Sequence, residues 1–218
     1  MALILCLETA STNCSVALSK NGAVLGLKED KDNNYSHAEK LHGFIQELLK
    51  EHGFKPEDLD AVAISKGPGS YTGLRIGVSA AKGLCFALNI PLISIPTLSS
   101  LALQVKVNGG YIIPMLDARR MEVYSAVFDS GYKEIRETRA EILTEDIFSQ
   151  YLEKEKVRFI GTGVQKFKEI CEHSNAVFTE ALPSAREMAG PAEQKYQKSD
   201  TEDVAYFEPY YLKDFIAG

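Results

Sequence analysis

At 218 residues, 45% of them hydrophobic, the chain is long enough for one large or two modest domains with a substantial core. A formal net charge of −6 argues against a broad basic footprint and so against independent binding of nucleic acid, though a nucleic acid can still be the client of a complex. No apolar run approaches the roughly 18 residues needed to cross a bilayer, no basic leader precedes the first apolar run, and the four cysteines (Cys6, Cys14, Cys85, Cys171) lack Cys-x-x-Cys spacing, so the expectation is a cytoplasmic protein with structural thiols.

In chain order, Leu3 to Leu7 is a continuous apolar run that reads as a strand, Glu8 to Asn13 is a small polar turn, and Cys14 to Leu18 is a returning strand. Asn21-Gly22 predicts a type I′ hairpin into a third strand, Ala23 to Lys28. Ser36 and Glu39 have the spacing of a capping box, and Leu41, Phe44, Ile45, Leu48 and Leu49 follow at helical spacing, with Gly53 as the stop.

Ala61 to Ile64 reads as a buried strand ended by Gly67-Pro68-Gly69, and a helix begins near Thr72. Glycines at such a turn let a ligand or another backbone come close, and a helix start attracts anions, which makes Gly67 and Gly69 candidates for phosphate. The spacing matches neither Gly-x-x-x-x-Gly-Lys-Ser/Thr nor Gly-x-Gly-x-x-Gly, so a turn that only docks a helix on a sheet is the competing reading. The helix carries one apolar stripe (Leu74, Val78, Ala81, Cys85, Leu88) and a second stripe of mostly small residues (Gly73, Gly77, Ala80, Leu84, Ala87), with Arg75, Ser79 and Lys82 as its polar ridge. Two such faces imply burial on both sides. Each helix glycine costs about 1 kcal/mol against Ala, so Gly73, Gly77 and Gly83 require compensating close packing, expected against another helix.

Leu92 to Ile95 reads as a short strand and Thr97 as the cap of a helix through Val105; Asn108-Gly109-Gly110 is then the expected boundary between a first lobe, 1–107, and a second, 108–218. Strands at Tyr111 to Leu116, Glu122 to Phe128 and Ala140 to Leu143, a helix Thr144 to Leu152, a strand Val157 to Ile160 and a helix Gly163 to His173 echo the first half. Ala189 to Asp203 reads as irregular and Tyr206 to Phe215 as a packed aromatic segment, with the option that this end returns to the first lobe. The class is α/β, as two similar layers.

Leu5 to Leu18, Ser36-His37-Ala38-Glu39-Lys40-Leu41, Lys66 to Leu84, Leu116 to Tyr124 and Pro209-Tyr210-Tyr211-Leu212 together resemble the TsaB (YeaZ) family, a relative of the TsaD, Kae and glycoprotease proteins, over nearly the whole chain. The resemblance implies an actin-like (ASKHA, ribonuclease H-like) duplicated two-lobed fold, each lobe a mixed sheet with flanking helices. It implies a non-catalytic subunit that supports TsaD in forming the threonylcarbamoyl group on the adenosine next to the anticodon, in tRNAs reading codons that begin with adenine. TsaE joins the larger complex, tRNA is reached only through it, and no membrane is involved. No cofactor is expected on the chain alone, and ATP or ADP at the joint with the partner is left as an open option. The alternative is a free-standing ATP-dependent phosphotransferase or glycoprotease-like peptidase.

His37 and His42 are five residues apart, about 140° around a helix, so they cannot share a metal, and His52 and His173 have no neighbouring ligand; no metal is expected. Glu8, where family members commonly carry aspartate, and Asp117, its counterpart in the second half, are candidates to hold Mg²⁺ or do acid–base work across a cleft, or else to cap turns. Gly69-Ser70-Tyr71 is not a nucleophile elbow; Arg119-Arg120 and Arg136 to Arg139 are candidates to touch phosphate, but they are interleaved with Glu122, Glu134, Glu137 and Glu141, which favours solvated strand faces. The expected partner surface is half of a four-helix bundle made by His37, Leu41, Phe44, Ile45 and Leu48 with Arg75, Val78, Ala81 and Lys82; a homodimer reuses it when the partner is missing. The competing reading gives both stripes to the protein's own sheet.

Overall fold

A computed structural model describes residues 2–31 and 37–213. Ser36 of the expected capping box and Phe215 lie outside the described residues. Strands β1 (Leu3–Glu8), β2 (Cys14–Lys20), β3 (Ala23–Asp30), β4 (Ala61–Ser65) and β5 (Leu92–Ile95) form a sheet of order β3-β2-β1-β4-β5. The hairpins pair antiparallel, with Leu5 opposite Leu18, whereas β1, β4 and β5 run parallel, with Leu5 opposite Val62. Asn21 and Gly22 have φ of 54° and 75°, the double left-handed turn that this dipeptide predicts.

β1 is buried along its whole length because both of its faces are covered. Leu3, Leu5 and Leu7, with Val16, Leu18, Val62 and Ile64, meet helices α1 (His37–Glu51) and α2 (Tyr71–Leu88). Ile4 and Cys6, with Ala17, Ala63 and Ile93, meet Ala185 and Met188 of a 3₁₀ turn and Ala192 of a late helix over Ala189–Gln197.

β6 (Tyr111–Asp117), β7 (Glu122–Asp129), β8 (Glu134–Ile142), β9 (Val157–Ile160) and β10 (Ala176–Thr179) repeat the design in the order β10-β9-β6-β7-β8, antiparallel among β6, β7 and β8 and parallel among β6, β9 and β10. Two mixed sheets of the same order, each flanked by helices, make the duplicated α/β fold that the resemblance implies. On one face of this second sheet, Leu98, Leu101 and Ala102 of α3 (Thr97–Ala102) pack with Ile112, Leu116 and Phe128. On the other, Phe148, Phe159 and Phe167 form a mutual triad with centroids 4.9 to 5.5 Å apart. Phe148 leads into α4 (Ser149–Leu152), and Phe167 lies on α5 (Val164–Lys168).

Contacts divide the chain into Met1–Thr97 with Pro183–Tyr211, and Leu98–Leu182 with Leu212–Gly218. The boundary thus falls before α3 rather than at Asn108, because the apolar residues of α3 belong to the second sheet's core. Residues 183–211 return to the first unit, and the stretch expected to be irregular contains α6 (Ala189–Gln197). Further elements differ from expectation: β8 starts earlier, at Glu134, α3 stops at Ala102, α4 begins only at Ser149 rather than Thr144, α5 stops at Lys168, and β10 is an added strand. Among the described residues of the aromatic tail, Phe207 alone packs against the first core, whereas Tyr206 is 85% exposed.

Candidate partner-binding groove on the first unit

α1 turns Leu41, Ile45, Leu48 and Leu49 to the first sheet, and α2 turns Leu74, Val78, Ala81 and Cys85 to it, all buried. His37 is buried too, its Nε2 2.8 Å from the carbonyl of Ser11. Among the residues expected to meet a partner, His37, Leu41, Ile45, Leu48, Val78 and Ala81 are therefore core residues. The sheet needs an apolar face from each covering helix, and it takes these stripes. Phe44 is partly buried against the same core. Lys82 Nζ donates to the carbonyls of Ala205 and Phe207, both at 3.1 Å. Arg75 lies exposed over the Tyr71 ring, 4.0 Å from its centroid, and its Nε donates to Tyr211 Oη. These two cations tie the C-terminal segment along α2.

The outward surface is an open groove of about 590 Å³, lined by Ala38 and His42 of α1 and by Arg75, Ile76, Ser79, Ala80, Gly83 and Leu84 of α2. The small-residue stripe splits between two uses. A Cβ on Gly73 would lie 2.1 Å from the carbonyl of Thr9, and one on Gly77 2.2 Å from its hydroxyl, so these glycines admit the turn after β1 rather than another helix. Around Gly83 and Gly43 a Cβ would meet nothing within 4 Å among the described residues. Phe86, three residues beyond Gly83 and so on the same side of the helix, is 84% exposed. Phe86 belongs to neither stripe of the sequence pattern, and that misfit was the available signal.

The glycine turn is occupied by the chain itself. Lys66 O accepts from Tyr210 N at 2.7 Å and Gly67 O from Thr97 N at 3.1 Å, while Gly67 holds φ at +103°. Ser70 N donates to Ala10 O, and Ser70 Oγ caps α2 by accepting from Gly73 N. A Cβ on Gly69 would lie 2.4 Å from Ala10 O, so the close approach that these glycines permit is made by backbone.

Glu8 ends β1 fully buried, with Oε1 accepting from Ala10 N at 2.6 Å and Oε2 without a described protein partner. Burial pushes its pKa up to about 7, against opposing hydrogen bonds from Ala10, Ser65 and Thr9. In the second unit Asp117 is exposed; its Oδ1 accepts from Arg119 N at 2.6 Å and from Lys166 Nζ at 2.8 Å. Each acid caps the turn after its own strand. The four cysteines are buried, and burial holds the thiols of Cys6, Cys14 and Cys85 protonated, at about 12, 11 and 11.

The model of a family described as TsaD, tRNA N6-adenosine threonylcarbamoyltransferase, matches residues 31–217. The tRNA threonylcarbamoyladenosine biosynthesis protein TsaB of Escherichia coli (strain K12) is 33% identical over 98% of this chain and 96% of its own length. The protein of the same name from Bacillus subtilis (strain 168) is 29% identical over 96% of this chain and 93% of its own. The solved structure of YeaZ from Pseudomonas aeruginosa superposes with a TM-score of 0.83 at 25% identity, over 97% of this chain and all of that one.

Proposed function

The chain belongs to the TsaB family, within the wider group described by the TsaD model, and on that premise we propose that it is a non-catalytic subunit of tRNA threonylcarbamoyladenosine biosynthesis, binding a TsaD-type enzyme through the α1/α2 groove. One observation carries this reading. Gly83 sits at an open position in the groove, with exposed Phe86 three residues further along α2, where nothing among the described residues calls for a missing side chain. A helix glycine costs about 1 kcal/mol, and close approach by helices from outside the chain accounts for it. A pair of helices from a related subunit would complete a four-helix bundle, and the same surface would serve a homodimer in the partner's absence. In this reading tRNA and TsaE are met in the assembled cytoplasmic complex, and ATP or ADP belongs at the joint with the partner.

The test is co-purification. Ser79→Arg and Gly83→Arg place a long cation in the groove at exposed positions, and should abolish capture of the TsaD-type protein of the same genome while the fold survives. Retained capture by both variants would refute the groove as the docking surface.

A second reading, a phosphotransferase acting alone, draws support from the unpartnered oxygen of Glu8. The residues do not fit Mg²⁺·ATP well: Glu8 is enclosed and burial favours its neutral form, and the Oδ1 of Asp117 is engaged by Lys166. Calorimetric titration of the isolated chain with Mg·ATP decides it, tight binding lost in Glu8→Ala being the outcome in its favour.

A further inference from the structure

We propose that the connection between β6 and β7 in the second unit holds Arg119 and Arg120 as a phosphate-binding pair for the backbone of tRNA; this rests on the reading above, in which tRNA is met within the complex. The sequence pattern assigned these arginines to a solvated strand, but they lie between strands, at the tip of the connection Ala118–Met121. Both have left-handed backbone, φ of 68° and 47°, a conformation that favours glycine or asparagine and that side chains as large as arginine rarely adopt. The loop is closed beneath them by Ala118 N on Glu122 O and by Glu122 N on Arg119 O, each at 3.1 Å, and Asp117 Oδ1 holds the Arg119 N–H.

The charge arrangement points to an anionic partner. Asp117 is already bridged by Lys166 and Glu122 by Lys213, so the carboxylates nearest in sequence are matched. Neither guanidinium makes a hydrogen bond or ion pair with a described residue, and both arginines are exposed. Two unmatched positive charges therefore stand on adjacent residues of a chain whose formal net charge is −6. Guanidinium forks recognise phosphate oxygens two at a time, and a strained backbone that retains two bulky cations where Asn-Gly would be easier is a common mark of a functional turn. A pair of charges is too small a footprint to hold RNA unaided, and it suits a supporting contact inside an assembly.

The test replaces the pair by the residues the backbone prefers. In the complex reconstituted with the TsaD-type partner, the double variant Arg119→Asn with Arg120→Gly should keep or raise the melting temperature and should weaken binding of an unmodified tRNA transcript about tenfold. The slope of log K against log salt should fall by about 1.4 to 1.8, the release expected for two phosphate contacts. A control with two exposed lysines of the same unit neutralised, Lys154→Gln with Lys168→Gln, should keep the parent slope. Parent-like affinity and slope in the arginine variant, an equal fall in the control, or no tRNA binding by the parent complex would each overturn the proposal. So would loss of the protein partner in the arginine variant, which would assign the pair to an acidic protein surface. Capture of the partner by Gly83→Arg is read separately, so a failure of the groove and a failure of the arginine pair are distinguishable.

Discussion

The hydroxyl of Thr9 donates to the carbonyl of Gly73 at 2.8 Å, which pins the start of α2 to the turn that follows β1. Gly77, one helical turn on, has no room for a side chain against the same threonine, whereas Gly83 is open. Gly77→Ala should therefore destabilise the isolated chain by about 1–3 kcal/mol through overpacking, while Gly83→Ala should stabilise it by up to about 1 kcal/mol. Urea unfolding measures both, and equal signs would contradict this account of the two glycines.

Val78 and Phe86 should respond in opposite ways. Val78 is 4% exposed, so Val78→Arg buries an unpaired charge and should cost more than about 4 kcal/mol, enough to lose the folded state. Phe86→Ser acts at an exposed position and should change stability by no more than about 0.5 kcal/mol while weakening partner capture. Circular dichroism and co-purification together separate the two. A folded Val78→Arg chain that has lost its partner would restore the surface first expected from the sequence.

Glu8 gives stability a pH dependence of definite sign. Its carboxyl titrates at about 7 in the fold against an ordinary 4.5, so between these values the folded state holds more of the proton than the unfolded chain does. The favourable share is complete below about pH 4.5 and is lost as pH rises to about 7, amounting to about 3 kcal/mol for a shift of this size. Glu8→Gln should remove this slope and be the more stable protein at pH 8. Denaturation of both proteins at pH 5 and pH 8 tests this, and a constant difference between them would count against it.

Lys82 fastens the C-terminal segment through two carbonyls, and Tyr206 and Tyr210 lie exposed near them. Lys82→Met should raise the rate of chymotryptic cleavage in this segment about tenfold, the effect of losing ~1.4 kcal/mol of local closure. An unchanged cleavage pattern would mean that the segment is held elsewhere.

The strands of the first sheet were legible because apolar runs and an Asn-Gly turn state them directly. β8 was under-read because its inward positions carry Arg136 and Glu141, paired with each other and with Ser125, where an apolar alternation would have marked the strand. α6 escaped because Ala189 and Ala192 bury little area and because Gly190 and Pro191 stand in its first turn, where proline is tolerated although it reads as a break. In the candidate site, the helices and their apolar stripes were visible, but not their allocation. Periodicity shows that a face is apolar without showing which neighbour covers it, so Val78 and Ala81 passed for contact residues while Phe86, outside every stripe, went unremarked.

The first unit is sewn from two stretches of chain that Leu98–Leu182 separates: Ala185, Met188 and Ala192 close the face of β1 that Ile4 and Cys6 present. On the ribosome, Leu98–Leu182 emerges complete before that covering layer has been made. The first lobe's sheet therefore stays exposed on one side until residues 183–197 have followed, and a chain cut after Leu182 would carry that lobe with one sticky face.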